Sequence, residues 1–430
     1  MPRMFGRMAW FTAAAAIGAV PVSAQERDTT DLAQLQAQVE AITRELEELR
    51  LGRDVVVEAD SSVFGFGPAA SKIYQVRQGV SIGGYGELLY ENFAGTREDD
   101  APSGASDRLD ALRAIVYVGY KFSDRILFNS ELEFEHGNTE DGGSVSIEFA
   151  YLDYRFSPRF GLRAGLLLPP MGFINEVHEP PAFLGARRPE TERQIIPSTW
   201  REAGIGFFGG TGTVNYRAYL VSGFDASGFG AGGLRGGRQN GAEATAENFG
   251  AVGRLDYTGV LGLTLGTAAY LGNSGQGAVL LSDPTVDIGA RTVIWDAHAQ
   301  YQARGFDLRA LLAIATVDDA AELNELNGLA GDASVGERMI GWYLQGGYDV
   351  LRGSRSGQQL VPYLRYEQFN TQDEVPEGFA ANPANDRRLV TVGAMWKPLP
   401  NVSLKADYQI VGNEAETGVN QLNVNLGYLF

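Results

Sequence analysis

The chain has 430 residues, a formal net charge of −18 and no cysteine, and it contains 55 glycines and 10% aromatic residues. The acidic balance argues against nucleic acid as a partner, and without cysteine there is neither a disulfide framework nor a thiolate metal site. Abundant glycine and aromatic residues favour a large antiparallel β protein with tight turns.

Residues 1–24 have the three parts of a secretory signal peptide in the expected order. Arg3 and Arg7 form a basic start, residues 8–20 form an apolar run, and a small-residue cleavage site follows at 22–24. The apolar run is shorter than the roughly 20 residues that a transmembrane helix needs, and no other stretch approaches that length. We therefore expect an exported protein whose membrane crossings, if it has any, are strands.

Residues 25–52 are predicted to form a periplasmic coiled-coil helix. The apolar positions follow a spacing of 3, 4, 3, 4 and 3, and they are Leu32, Leu35, Val39, Ile42, Leu46 and Leu49. A seam this narrow suits a partner helix better than a globular core. A trimer is the simplest interpretation, with a dimer or a single helix lying against its own barrel mouth as alternatives. Residues 53–78 are expected to be a linker.

Residues 79–430 contain recurring segments in which apolar and polar residues alternate with a period of two, the pattern of β-strands. The segments lie at about 79–92, 109–122, 125–136, 144–156, 160–168, 200–209, 212–223, 247–257, 260–271, 290–304, 306–317, 338–351, 359–371, 387–397, 401–412 and 419–430. Short and long connectors alternate between them, which is typical of an outer-membrane barrel. The predicted fold class is therefore all-β: a transmembrane antiparallel β-barrel of about 16 strands.

The last predicted strand shows the alternation most clearly. One face carries Leu422, Val424, Leu426, Tyr428 and Phe430, and the other carries Gln421, Asn423, Asn425 and Gly427. In a transmembrane barrel the apolar face meets lipid and the polar face lines the lumen. The aromatic carboxyl terminus resembles the assembly signal of bacterial outer-membrane barrels.

The same phase assigns charged side chains of both signs to the lumen, because an arginine facing lipid at the midplane costs about 2–4 kcal/mol. The predicted basic wall residues are Arg113, Arg163, Arg217, Arg254, Arg309 and Arg365. The predicted acidic ones are Glu131, Glu133, Glu148, Asp256, Asp307, Asp349 and Glu367. Such a wall predicts water in the lumen and no closed core. The phase is irregular at 151–155, where a bulge or an early rim is expected, and at 200–208.

The connector at 169–199 is the most distinctive loop, because it combines six prolines with many apolar residues. A loop of this length inside a compact protein is usually functional or disordered, and folding into the barrel would bury its apolar side chains. We predict a constriction loop. The candidate pore residues in and beside it are Glu176, His178, Glu179, Arg187, Arg188, Arg193 and Arg201.

Several segments of residues 79–430 resemble the phosphate-selective porin O and P family of bacterial outer-membrane porins. These segments are GGYGELLYENF (83–93), YVGYKFSDRILF (117–128), NEVHEPPAF (175–183) and IIPSTWREAGIGF (195–207). The resemblance implies a homotrimer of sixteen-stranded barrels in which the loop after the fifth strand narrows the pore. Members of this family select anions with rows of arginine and a central lysine. This chain departs from that pattern, since it has an acidic excess and its lysines are Lys72, Lys121, Lys397 and Lys405.

The predicted function is passive diffusion of small hydrophilic solutes or inorganic ions through a porin in the bacterial outer membrane, where membrane lipid surrounds the barrel. The alternatives are an anion or phosphate channel and a structural barrel that tethers the envelope. No enzyme activity, cofactor or metal is predicted. A metal site at His178 is disfavoured because no other histidine has helical i, i+4 spacing from it, and Gly204–Gly209 resembles a dinucleotide fingerprint only as a string.

Overall fold

The computed structural model describes residues 37–41, 62–138, 142–280 and 282–430. Residues 37–41 are helical and belong to a separate compact unit from the barrel. The predicted signal peptide at 1–24 and the rest of the predicted coiled-coil helix lie outside the described residues, so both stay predictions.

Sixteen antiparallel strands close into one barrel, which confirms the predicted fold class. They are β1 (Gly79–Phe93), β2 (Arg108–Lys121), β3 (Ile126–Glu135), β4 (Ser144–Ser157), β5 (Phe160–Leu167), β6 (Glu202–Gly210), β7 (Val214–Ser222), β8 (Phe249–Val260), β9 (Leu263–Asn273), β10 (Arg291–Ala303), β11 (Phe306–Val317), β12 (Arg338–Tyr348), β13 (Gln359–Glu374), β14 (Asp386–Leu399), β15 (Val402–Asn413) and β16 (Gln421–Leu429). The longest connectors lie at one rim, called here the long-loop rim. The connectors at the other rim, the short-turn rim, have two to four residues, except for the one at 349–358.

Among the described residues from 62 onward, three short α-helices accompany the barrel: α1 (Lys72–Gln75), α2 (Glu190–Gln194) and α3 (Ala320–Leu326). Single 3₁₀ turns occur at Pro180–Ala182, Ala226–Gly228, Arg235–Gly237, Gly331–Ala333 and Pro383–Asn385. Within the described ranges, no helix is both long and apolar enough to cross a membrane.

The barrel closes between its first and last strands. Leu88 lies opposite Leu426 in this pair. The backbone N–H of Phe430 donates to the carbonyl of Gly84 at 2.9 Å, and the N–H of Gly84 donates back to Phe430 at 3.0 Å. Because every strand has two neighbours, the sheet has no free edge.

The outer surface follows the predicted period of two. On β16, Leu422, Val424 and Tyr428 are exposed while Asn423 and Asn425 are buried. Strands β3, β10 and β15 keep the same order, with apolar side chains outside and polar ones inside, apart from the buried Leu127, Ile294 and Val411. The prediction that the last strand turns its apolar face outward is therefore confirmed.

The interior differs from the predicted lumen, because much of it is a packed core. Lumen-facing aromatic rings such as Tyr85, Tyr117 and Phe149 are buried. They are covered by residues 62–78, named here the inner segment, and by residues 168–201, named here the lumen loop. The alternation of a strand identifies which side chains point inward, but it does not reveal which distant segment covers them.

The inner segment is the second part of the predicted linker, and it packs against the wall of the barrel. Phe66, Ile73 and Val76 are buried in the core. The Lys121 ammonium donates to the carbonyl of Val76 at 2.7 Å, and the Asn129 amide donates to the carbonyl of Ala70 at 3.0 Å. These bonds to β2 and β3 fix the segment inside the barrel.

The inner segment also explains the irregular phase at 151–155. Tyr151 and Asp153 both face inward and Leu152 is exposed, so the alternation is regular over these three residues. The register of β4 shifts at Arg155/Ser157, at the end of the stretch where a bulge or an early rim is predicted, and also opposite Glu131/Leu132. An aromatic side chain can face inward at position 151 because the ring of Phe66 stacks on Tyr151, with the ring centroids 5.4 Å apart.

A similar covering explains the irregular phase at 200–208. Phe208 on β6 is an inward-facing aromatic residue, and the ring of Phe64 in the inner segment packs against it at 4.8 Å. Ile205 and Phe207 are exposed on the outer surface. The strand therefore keeps a single alternation.

Candidate functional site

The lumen loop crosses the inside of the barrel. Its backbone N–H groups donate to carboxylates on three separate strands: Gly172 to Asp296 on β10 at 3.0 Å, Thr191 to Glu367 on β13 at 3.1 Å, and Ala186 to Asp407 on β15 at 2.6 Å. Backbone groups need partners once they leave water, and the polar wall provides them. The predicted loop at 169–199 thus folds into the lumen.

Buried polar side chains hold the two ends of the lumen loop together. The Asn175 amide donates to the carbonyls of Pro169 at 2.7 Å and Trp200 at 2.9 Å, and its oxygen accepts the N–H of Trp200 at 2.6 Å. Trp200 stacks on Phe224 with ring centroids 4.5 Å apart. The two ends of the lumen loop therefore lie side by side.

Glu192 organises the interior of the lumen loop. It accepts the N–H groups of Phe173 and Ile174 at 2.8 Å each, and the Tyr343 hydroxyl of β12 donates to it at 2.7 Å. Burial raises the pKa of Glu192, although these hydrogen bonds act in the opposite direction. Three donors make this carboxyl a junction between the loop and the wall.

The loop is also bound to the wall at β15. The Lys405 ammonium donates to the carbonyl of Gly185 at 2.9 Å, while Asp407 accepts from the N–H of Ala186 and, at 2.7 Å, from the hydroxyl of Tyr363. A Cβ at position 185 would collide with the carbonyl oxygen of Arg187 and lie 2.7 Å from Nη1 of Arg365, so this part of the loop requires glycine. The hydrogen bonds of Lys405 and Asp407 to the loop are called the β15 contact below.

Two cavities lie on either side of the β15 contact. The larger one, about 1050 Å³, opens at the short-turn rim and contains both signs of charge, among them Arg217, Asp256 and Lys397. The smaller one, about 330 Å³, lies on the side of the long loops. Its charged lining residues are Arg187, Glu190, Arg193 and Arg387. The lumen loop contributes to both linings, Leu184 to the larger one and Arg187 to the smaller one, so this part of the loop lies between the two cavities.

Three of the predicted wall arginines hold the lumen loop. Arg217 and Arg254 share Asp256, at 2.6 and 2.8 Å, and Arg217 lies 3.4 Å from Glu176 of the loop. Arg309 donates to the carbonyl of Ala182 at 2.7 Å. The larger cavity is also lined by Arg217, Arg254 and Arg309. These three side chains therefore bind the lumen loop and also face the space inside the cavity.

Two other predicted wall arginines are sealed from the pore. Arg163 pairs with Asp153 at 2.8 Å and lies over the ring of Tyr151 at 4.3 Å. Arg365 pairs with Glu367 at 2.8 Å and is fully buried behind the loop. Both point inward as predicted, but neither lines a cavity.

Asp349 departs from its predicted position on the lumen wall. It follows the end of β12, where its carboxylate accepts the N–H groups of Leu351 and Leu360 at 3.1 Å each. Short polar side chains favour such turn contacts, which compete with the strand ladder. Asp349 therefore lies at the short-turn rim of the larger cavity.

Three further wall candidates, Arg113, Glu131 and Glu133, form a buried group with the loop. Arg113 lies 3.2 Å from Glu87 and 3.8 Å from Glu133, and the His178 ring lies 3.2 Å from Glu131. Burial lowers the pKa of His178 to about 4, and the nearby Arg188 acts in the same direction. His178 is therefore neutral at pH 7.

Arginines of the lumen loop gather toward the long-loop rim. Arg187 pairs with Glu91 and Glu190 at 3.1 Å each, and Arg193 pairs with Glu190 at 3.5 Å. Arg201 pairs with Glu148 on β4. Burial lowers the pKa of Arg188, and repulsion by Arg113 adds to this shift.

Arg235 and Arg238 complete this arginine group, and sequence reasoning missed them. They donate to the carbonyls of Ser198 and Thr199 in the lumen loop. Burial lowers the pKa of Arg235 to about 9, and repulsion by Arg238 adds to this shift. Burial lowers the pKa of Arg238 to about 10, and repulsion by Arg201 adds to it. Arginines that lower each other's pKa lie in a positive potential. Their one sequence signal was a pair of arginines within a glycine-rich connector.

The described residues contain no group of three or more His, Cys, Asp or Glu side chains arranged to hold a metal ion. The donor groups around the lumen loop instead pair with arginines and backbone N–H groups.

A closed barrel of sixteen antiparallel strands, with the loop after the fifth strand folded inside, is the fold of bacterial outer-membrane porins. Three solved structures are similar. OmpF of Salmonella typhi in complex with daunomycin has 14% identity and a TM-score of 0.54, and the match covers 82% of this chain and 98% of that one. The loop L8 deletion mutant of OmpT from Vibrio cholerae has 12% identity and a TM-score of 0.52 over 82% and 100% of the two chains. The outer membrane channel DcaP of Acinetobacter baumannii has 11% identity and a TM-score of 0.52 over 82% and 97%.

Sequence comparison identifies a relative at higher identity. An uncharacterized protein of Aquifex aeolicus (strain VF5) is 41% identical over 365 residues, which are 82% of this chain and 80% of that protein. The chain belongs to the same family as this protein. No family model matches the sequence.

Proposed function

We propose that the protein is an outer-membrane porin through which small hydrophilic solutes or ions diffuse, and that it is not an enzyme. The observation that carries this proposal is the pair of charged cavities, about 1050 and 330 Å³, separated by the lumen loop. The apolar outer surface suits a position in the outer membrane. The similarity to DcaP, which is described as an outer membrane channel, supports the same function.

Passage requires the β15 contact to open, since the loop otherwise separates the cavities. Its bonds involve the charged groups of Lys405 and Asp407. A hydrogen bond to a charged group contributes about 1.5–3 kcal/mol. Because the β15 contact consists of bonds of this strength, we expect it to open only transiently. The expected result is brief conductance events.

Recording from the purified protein in planar lipid bilayers tests the function. We expect discrete current steps in potassium chloride, and bilayers treated with detergent buffer alone serve as the control. A folded, heat-modifiable protein that never produces current steps contradicts the channel function.

Anion preference is the second candidate, and the arginine group at the long-loop rim favours it. Arg188, Arg193, Arg235 and Arg238 lie close enough to affect one another's ionisation. The resemblance to phosphate-selective porins makes phosphate the first anion to test. Reversal potentials across a salt gradient measure the preference, and a cation-selective reversal contradicts it.

We also propose a homotrimer whose N-terminal helices, predicted at 25–52, associate in the periplasm. Native mass spectrometry of the detergent-solubilised protein measures the oligomeric state. Deleting residues 31–50 distinguishes trimerisation through the barrels from trimerisation through the helices. If the trimer persists after the deletion, the barrels hold it together, whereas a monomer after the deletion would mean that the helices hold the trimer together.

A further inference from the structure

The inner segment and the lumen loop meet at one carboxylate. Oε2 of Glu179 accepts the backbone N–H of Ala69 at 3.1 Å, and Oε1 accepts the N–H of Ala70 at 3.0 Å. Glu179 is 1% exposed. Two hydrogen bonds from adjacent backbone N–H groups of the inner segment therefore join two parts of the chain that are 110 residues apart.

The inner segment is anchored to the wall on its other side. The Tyr74 hydroxyl donates to Asp153 on β4 at 2.7 Å, and Arg163 on β5 donates to the same hydroxyl at 2.8 Å. The bonds from Lys121 and Asn129 attach it to β2 and β3. Glu179 therefore joins the lumen loop to a segment that is itself fixed.

The chain that follows Glu179 leads directly to the β15 contact. The 3₁₀ turn Pro180–Ala182 comes first, and Gly185 and Ala186 then bind Lys405 and Asp407. A displacement of Glu179 from the inner segment is therefore transmitted over a short, proline-stiffened path to the place that separates the cavities.

The surroundings make the contact sensitive to pH. The titratable groups that act on Glu179 are Glu131 of β3 and Tyr117 of β2, and His178 precedes it directly in the loop. Burial raises the pKa of Glu179 to about 7, and Glu131 adds to the shift, while the N–H groups of Ala69 and Ala70 oppose it.

The direction follows from linkage. An exposed glutamate has a pKa of about 4.3, so the buried, joined state binds the proton more tightly than the separated state. Protonation therefore stabilises the joined state. This stabilisation is fully present below about pH 4.3, the ordinary pKa of an exposed glutamate, and it is lost as the pH rises through about 7.

We propose that Glu179 is a positioning residue that couples the lumen loop to the inner segment, so that the two segments open and close the pore together. This inference rests on the proposed channel function. A channel that closes more as the pH falls toward 4.3 is the expected behaviour.

The test compares Glu179→Gln, which cannot ionise and has one acceptor oxygen, with Glu377→Gln in an exposed loop. For the wild type we expect the open probability to fall as the pH is lowered from 7.5 to 4.5, by at most about tenfold per pH unit. The Glu179→Gln channel loses that part of the pH dependence, whereas Glu377→Gln keeps it. Identical pH profiles for wild type and Glu179→Gln overturn the proposal.

A steric pair of variants tests the same contact without changing a charge. A Cβ at Gly67 would lie 2.5 Å from the carboxyl carbon of Glu179, whereas a Cβ at Gly95 meets nothing within 4 Å. We expect Gly67→Ala to lengthen the openings and Gly95→Ala to leave them unchanged. Equal open times in the two variants contradict the coupling.

A chemical readout keeps the proposal testable without current. Because the chain has no cysteine, Ala182→Cys places a single thiol in the lumen loop. Its reaction with a water-soluble thiol reagent should be slower at pH 6 than at pH 7.5, after correction for thiolate content, and adding Glu179→Gln should remove the difference. If the thiol reaction depends on pH as expected but the protein conducts no current, the channel function is rejected and the coupling is kept. If the protein conducts current but the thiol reaction does not depend on pH, the coupling is rejected and the channel function is kept.

Discussion

The ammonium of Lys405 donates a hydrogen bond of 2.9 Å to the carbonyl of Gly185, which lies 220 residues earlier in the chain. The same ammonium lies 3.7 Å from the centre of the Phe183 ring. One side chain of β15 thus binds the lumen loop through both a polar and an aromatic contact. This is the place where small substitutions should have the largest effect on the pore.

Asp407→Ala removes the acceptor of the Ala186 N–H and of the Tyr363 hydroxyl. Leaving a buried donor unpaired costs about 1–3 kcal/mol, so the closed arrangement should lose stability. We expect longer or larger current steps in single-channel recordings. Asp283→Ala, in an exposed turn, is the control, and unchanged steps in Asp407→Ala would show that the β15 contact does not limit passage.

Gly185→Ala should disturb the loop at the β15 contact, because the new Cβ would collide with the carbonyl oxygen of Arg187 and lie 2.7 Å from Nη1 of the fully buried Arg365. The expected result is a higher open probability with a folded barrel. Gly232→Ala, where a Cβ meets nothing within 4 Å, is the matched control. The idea fails if the two glycine variants have the same single-channel record.

Arg163→Ala should reduce stability and leave ion selectivity unchanged, because Arg163 lines neither cavity. Its removal leaves Asp153 buried without its guanidinium partner, and breaking a buried pair costs about 3–5 kcal/mol. The temperature at which the barrel loses its folded mobility on an SDS gel should fall. A shift in the reversal potential with no change in that temperature would instead place Arg163 in the ion path.

Replacing both Arg235 and Arg238 with glutamine should weaken anion preference, because it removes two positive charges beside the lumen loop. Reversal potentials of the wild type and the double variant across the same salt gradient at pH 7.5 measure this effect. A double variant as selective as the wild type would assign the preference elsewhere.

The strands could be predicted from the sequence because each has two chemically different faces. On β15, Leu404 and Ile410 are exposed while Lys405 and Asp407 are buried, as the alternation requires. This local pattern repeats in each strand, so it needs no knowledge of distant contacts.

The filled interior could not be predicted in the same way. Arg163 has the correct phase for a pore residue, yet Phe66 and Phe208 cover it from segments far apart in the chain. Arg235 and Arg238 reach the lumen loop only because their connector folds over it. Both outcomes depend on long-range packing, which no strand pattern encodes.

The pairing of β1 with β16 also governs how the molecule can be assembled. Glu87 and Asn425, hydrogen-bonded at 2.7 Å across this pair, are separated by 338 positions. The first strand cannot acquire its second neighbour until synthesis has reached the final residues, and contacts between such distant positions form slowly. During that interval the unpaired edges of both strands are open to pairing with other chains. A protein built this way depends on being kept apart from its copies until the last strand arrives.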